Sequence, residues 1–311
     1  MRSVKDIKIV FLGTPEFAVA SLDALVKAGA QVVGVVTAPD KPAGRGMQLQ
    51  ESAVKKYAVQ QNIPVLQPDK LKNPGFLKEL KALEADLQVV VAFRMLPELV
   101  WNMPPLGTVN VHGSLLPQYR GAAPINRAIM NGETETGVTT FKLKHEIDTG
   151  DILLQHKVPI EPSDNAGTVH DKLMAAGAEL LVKTVQGLAD GSVKEVPQAA
   201  FATEDLKHAP KLFKEDMRID WKIPAQAIQN HVRGLSPYPS AFTTIAGKQV
   251  KVYKTHIEEV TPSASAGTHD TDGKTYLRIA AADGWVYLDE LQQEGKKRLD
   301  VETFLRGFRF E

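Results

Sequence analysis

The sequence predicts an α/β chain, with a Rossmann-type, mostly parallel sheet domain followed by a small OB-like β-barrel domain. Three observations predict it. Through the first half, short continuous apolar runs alternate with segments of helical period, the pattern of strands buried on both faces and joined by crossover helices. Near residue 196 this periodicity fades. Beyond about residue 235, short strands are punctuated by turn glycines. The 311 residues fit about two domains.

In order, residues 7–12 form the first strand, ending at Gly13. A helix over 16–28 places Phe17, Val19, Leu22, Leu25 and Val26 at helical spacing, and Gly29 stops it. Residues 31–37 are a second strand, 52–61 a helix, 64–66 a short strand and 76–83 a helix. Residues 87–92 and 107–112 are buried strands. Residues 137–143 and 151–160 form a hairpin, and 168–188 a long amphipathic helix ended by Asp190-Gly191. A linker follows, with a domain boundary near 206, so that residues 1–205 are one domain and 206–311 the other. A helix over 224–235 opens the second domain. Turns at Gly247, Gly267, Gly273, Gly284 and Gly295 then separate its strands.

Composition excludes several chemistries. There is no Cys, which removes a disulfide framework, a thiolate zinc site and a cysteine nucleophile. Lys+Arg and Asp+Glu both number 37, so a polyanion must be met by a local patch. Residues 207–311 carry 16 basic and 14 acidic residues, a bias of +2. The run Lys296-Lys297-Arg298 reads as a phosphate-facing patch or, slightly favoured, a solvated turn. No secretory signal or membrane-span pattern is present, which makes the cytoplasm the expected compartment.

Gly13-Thr14-Pro15 lacks the second and third glycines of a dinucleotide loop, so a plain strand-to-helix turn is favoured. Residues 39–47 form a Gly/Pro-rich loop, expected to be mobile, at the carboxyl edge of the sheet. Its cations Lys41 and Arg45 suit a polyanion. In Asn110-Val111-His112-Gly113, period two puts Asn110 and His112 on one strand face. An imidazole transfers protons near neutral pH, and a carboxamide donates to a developing oxyanion. Asp148 is a carboxylate able to orient that imidazole, and Glu146 and Asp151 compete for the role. His112, His145 and Asp148 lack the short ligand spacing of a metal site. Trp221 and Tyr238 read as packing residues.

Several stretches carry a family resemblance: FLGTPEFAV at 11–19, PAGRG at 42–46, NVHGSLLP at 110–117, RGAAPI at 120–125, ETGVT at 135–139, DTGD at 148–151, RIDW at 218–221 and SPYPSAF at 236–242. Over nearly its whole length the chain resembles the methionyl-tRNA formyltransferases, within the wider folate-dependent formyltransferase group. The resemblance implies a formyl transfer from 10-formyltetrahydrofolate to the α-amine of methionyl initiator tRNA, for translation initiation. It implies a cytoplasmic monomer that uses no metal and no membrane.

By motif position, the resemblance gives Asn110, His112 and Asp148 the catalytic places. It gives Ser114, Leu115, Leu116 and Pro117 the folate-binding segment. Lys41 and Arg45 fall on the loop that reaches the tRNA, and the barrel helps to hold it. Two departures stand out. Residues 92–97 read AFRMLP, one residue shorter than the family's AYG-x-I-L-P segment in the folate pocket wall, and without its glycine. No basic pair follows the PAGRG loop. Rival readings are a formyltransferase for a small amine, a non-catalytic RNA-binding protein and a nucleotide-dependent oxidoreductase.

Overall fold

The structure is a computed structural model, and it describes residues 2–43, 48–201 and 205–310. By chain contacts it divides into two compact units. The first gathers Met1–Arg120, Gly137–Val158 and Asp171–Lys207. The second gathers Gly121–Thr136, Pro159–His170 and His208–Glu311.

The first unit is built on β1 (Lys8–Gly13), α1 (Glu16–Lys27), β2 (Gln31–Val36), β3 (Lys41–Ala43), β4 (Gln48–Gln50), α2 (Ala53–Gln60), β5 (Val65–Leu66), α3 (Pro74–Ala82), β6 (Leu87–Val91), α4 (Glu98–Trp101) and β7 (Thr108–His112). The chain continues through α5 (Pro124–Met130), β8 (Glu135–Lys142), β9 (Ile152–Pro159) and α6 (Ala166–Asp190). The sheet order is β5-β2-β1-β6-β7-β8-β9. It is parallel from β5 to β7, and β8 joins β7 antiparallel.

The chain winds outward from β1 to β5 and then returns to β6 on the other side of β1. That reversal leaves a crevice at the carboxyl ends of β1 and β6, the place where open α/β sheets bind ligands. One apolar layer packs Ile9, Phe11, Val89, Val109 and Val111 with Leu22, Leu25, Leu181 and Val185. The other packs Val10, Leu12 and Val90 with Phe76 and Leu80. Each such fully buried side chain contributes about 1.5–3 kcal/mol. Helix starts follow from local chemistry. Ser52 Oγ accepts from the Lys55 amide, and Asn73 Oδ1 accepts from Gly75 and Phe76 ahead of Pro74 at the first position.

The second unit adds α7 (Ala225–Leu235), β10 (Ala241–Ile245), β11 (Lys248–Glu258), β12 (His269–Thr271), β13 (Leu277–Ala280), β14 (Trp285–Gln293), β15 (Leu299–Asp300) and α8 (Val301–Gly307). The strands form an antiparallel half-barrel in the order β10-β11-β14-β13-β12, with β15 on β14. Its core joins Ile228, Val232, Val252, Leu288 and Phe304. Helix α5 packs on α7, where a Cβ on Gly234 would come within 2.5 Å of Met130 Cγ. No helix among the described residues is long and apolar enough to cross a membrane.

Three expectations are corrected. The loop after β2 is in part a β-ribbon, because β3 and β4 pair antiparallel from Lys41↔Gln50 to Ala43↔Gln48; residues 44–47, with Arg45, lie outside the described residues. The linker is not a free tether. Val196 bridges Ile152, and the Lys207 carbonyl accepts from the Tyr119 amide at 2.6 Å. Tyr238 is 83% exposed instead of packed, whereas Trp221 joins the half-barrel core and donates to Thr243. Helices α4, α5 and α8 are too short to show a period in sequence.

Candidate active site

Strand β7 sets the site. Its register pairs Asn110 with Val90 on one side and Phe141 on the other, and His112 with Thr139. Val109 and Val111 face the core, so Asn110 and His112 share the opposite face, as period two requires. Asn110 is partly exposed, and its carboxamide has no hydrogen-bond partner among the described residues.

His112 is only 8% exposed, with its ring edge-on to Phe141 at 6.5 Å between centroids. Nε2 lies 2.9 Å from the Tyr119 carbonyl oxygen. A carbonyl only accepts, so Nε2 holds a proton. Nδ1 faces Asp148, 3.8 Å from Oδ2. Glu146 and Asp151 do not share this position. Asp151 accepts from Lys144 at 2.8 Å, and Glu146 gives its backbone oxygen to Thr149. His145 is exposed, 3.9 Å from Glu98. Among the described residues, no group of three His, Asp or Glu side chains is placed to hold a metal ion.

Asp148 has a left-handed backbone, φ 54°, uncommon for a residue with a side chain. The turn it occupies is tight: a Cβ on Gly150 would lie 1.5 Å from the Lys142 carbonyl oxygen. Only glycine fits there. This is a physical reason for the DTGD spacing.

The segment Ser114-Leu115-Leu116-Pro117 lies directly after β7. Ser114 is fully buried, and its hydroxyl donates to the Gln118 carbonyl at 2.6 Å. Leu116 is also buried. Its amide donates to Thr139 Oγ1 and its carbonyl accepts from Gln155. Pro117 is buried, and Leu115 is partly open. In this segment Ser114 and Leu116 therefore brace the chain, leaving Leu115 and backbone groups as the surface offered.

A cavity of ≈ 660 Å³ opens at the carboxyl ends of β1, β2 and β6, lined by residues including Thr14, Pro39, Lys41, Phe93 and Arg94. Arg94, which stands where the sequence lacks its expected glycine, donates to the carbonyls of Pro68 and Asp69. The left-handed conformation of this stretch falls on Ala92, at φ 47°. Asp40 anchors the base of the ribbon to Lys55 and Gln67, which together hold its carboxyl below the usual range. Lys41 is exposed, with no ion-pair partner among the described residues.

Sequence reasoning missed the supports. Gln198, in a single turn of 3-10 helix at Gln198–Phe201, reaches the 148–150 turn, and Arg120 reaches Gln198. Gln198 sits where periodicity fails, so no pattern marked it. Arg120 stood out only as part of the RGAAPI motif.

Comparison with known proteins gives the family. A family model described as "Formyl transferase" matches residues 7–185, and "Formyl transferase, C-terminal domain" matches residues 211–309. The methionyl-tRNA formyltransferase of Parabacteroides distasonis is 55% identical over 313 residues, covering 98% of this chain and 97% of that one. That of Bacteroides fragilis is 52% identical over 310 residues, covering 98% and 96%. Among solved structures, the sugar 3N-formyl transferase WlaRD, with dTDP and 5-N-formyl-THF, matches with a TM-score of 0.68 at 23% identity, over 94% of this chain and 99% of that one. HypX from Aquifex aeolicus, in complex with tetrahydrofolic acid, matches with a TM-score of 0.65 at 19% identity; the chain spans 48% of its length, and 98% of this chain is covered. These two structures share the fold. On the full-length relatives and the family models, the chain belongs to the methionyl-tRNA formyltransferases, within the folate-dependent formyl transferase family.

Proposed function

We propose that the chain moves the formyl group of 10-formyltetrahydrofolate to the α-amino group of methionyl initiator tRNA, with Asn110, His112 and Asp148 as its catalytic residues. The uncommitted carboxamide of Asn110, beside an imidazole that faces a carboxylate, is the observation that carries the reading. A formyl amide resists attack until its carbonyl is polarised. When the amine adds, negative charge develops on the formyl oxygen, and the Asn110 Nδ2–H donates to it. The attacking nitrogen must shed a proton and the folate nitrogen must gain one. His112, through Nδ1 and with Asp148 beside it, carries that transfer. The α-amine needs little activation, because its ordinary pKa of about 7.7–8.0 leaves part of it neutral. In this scheme no covalent enzyme intermediate forms.

The cavity lies on the β1 flank of β6 and the catalytic pair on the β7 flank. With Lys41 at its lip, the ribbon side of the cavity suits the phosphate-bearing end of the tRNA, while its Phe93–Arg94 wall belongs to the segment that the resemblance gives to the folate pocket. The folate lies against Leu115 and the backbone of the Ser114–Pro117 segment. Residues 1–205 carry the chemistry in this reading, and 206–311 contact the tRNA. The test is acid-gel or mass detection of formyl-methionyl tRNA made by the purified chain. Formylation of free amines or aminosugar nucleotides, but not of charged tRNA, would refute the assignment.

A further inference from the structure

Four hydrogen bonds meet on one buried side chain beside the catalytic pair. Gln198 is 4% exposed. Its Nε2 donates to the carbonyl oxygens of Asp148 at 2.8 Å and Gly150 at 2.9 Å. Its Oε1 accepts from Arg120 Nε at 2.9 Å and Nη2 at 2.6 Å. Both amide hydrogens and both lone pairs are used, and the amide cannot be reversed without setting oxygen against two carbonyls. The residue before Arg120 is Tyr119, whose carbonyl holds His112 Nε2. Tyr119 itself is left-handed, at φ 59°, and its amide donates to the Lys207 carbonyl. Two adjacent residues therefore hold the two halves of the pair, Tyr119 directly and Arg120 through Gln198.

We infer that Gln198, braced by Arg120, is a positioning residue for formyl transfer: it fixes the left-handed turn that presents the Asp148 carboxylate to His112. Its geometry explains how an unfavourable backbone persists. Such a conformation is kept only where its surroundings over-determine it. Here Gln198 ties the turn at both ends, and the Thr149 hydroxyl bonds to the Glu146 carbonyl across it. Loss of the two amide donors frees Asp148 to relax away from Nδ1.

The inference rests on the catalytic reading of His112 and Asp148, and the experiment separates the two. In the full chain, Gln198→Glu keeps an acceptor for Arg120 but removes both donors. The turnover number should fall about a hundredfold, the scale of an ångström-sized misplacement of a catalytic group. KM for folate and for charged tRNA should stay within about twofold, and the acid limb of the pH–kcat profile should move. A merely structural role would lower the fraction of active enzyme without moving that limb. Arg120→Lys, which keeps a cation but loses the fork, should shift the limb the same way by less, and it supplies the test if Gln198→Glu does not fold. Near-normal kcat and an unmoved limb in a folded variant, with Asp148→Asn inactive, would overturn the positioning role alone. Near-normal turnover in Asp148→Asn would overturn the catalytic reading, and the inference with it.

Discussion

His112 Nε2 lies 2.9 Å from the carbonyl oxygen of Tyr119, which commits that nitrogen and its proton to the backbone. Nδ1 is therefore the nitrogen that the backbone does not engage, and it is the one that Asp148 faces. The terminal amide of a glutamine can reach the Tyr119 carbonyl from near the Nε2 position but cannot carry a proton. His112→Gln is expected to fold with little change in thermal midpoint and to lose about 10²–10⁴ in turnover. Single-turnover formylation, with a melting curve on the same sample, checks it.

Among the described residues, the Asn110 carboxamide makes no hydrogen bond that its removal would break. Asn110→Ala is expected to leave denaturant stability unchanged while lowering kcat about 10²–10³, the usual effect of one oxyanion donor. Equal losses of stability and activity would show a structural residue instead.

Gly150 has no room for a methyl group against the Lys142 carbonyl. Gly150→Ala should cost at least about 3 kcal/mol in urea unfolding and displace Asp148, so that activity falls even at temperatures where the variant stays folded.

Lys41 is an exposed cation on the ribbon, with no ion-pair partner among the described residues. Lys41→Ala should raise KM for charged tRNA and leave KM for folate alone. The slope of log affinity against log salt should drop by about 1, as for one lost phosphate contact. A filter-binding salt titration measures that slope.

His231, on α7, bonds to the Met217 backbone and has its Nε2 enclosed with no partner among the described residues. Desolvation is the largest cause holding its pKa below the ordinary value, with Arg127 nearby adding to the effect. The unfolded chain takes up this proton at about pH 6.5, before the folded chain does. The contribution is thus fully present above that pH and is lost as pH falls towards the folded value. Urea midpoints at pH 7.5 and 5 should show a larger loss for the wild type than for His231→Gln; equal losses would assign the pH dependence to other groups.

Local patterns show in the sequence, and contacts across the chain do not. Strand β7 was legible because alternation of Asn110 and His112 with Val109 and Val111 is a property of adjacent residues. The approach of Asp148 to His112 depends on how β8 and β9 fold back, so sequence alone left Glu146 and Asp151 as competitors. Gln198 was invisible: its value lies in four hydrogen bonds to three residues remote in sequence, and a glutamine in an aperiodic stretch looks like any solvated loop residue. Tyr238 misled for the opposite reason, since an aromatic between prolines suggests packing, whereas the turn leaves the ring in water.

Lys41, Pro42, Leu49 and Gln50 all lie open to solvent, and among the described residues β3 and β4 pair only with each other. Its base is fastened through Asp40 to Lys55 and Gln67. Such an appendage can lengthen, shorten or change sign while the sheet beneath it keeps its thermodynamics. The ribbon can therefore change in length or charge while strand β7, with Asn110 and His112, stays as it is.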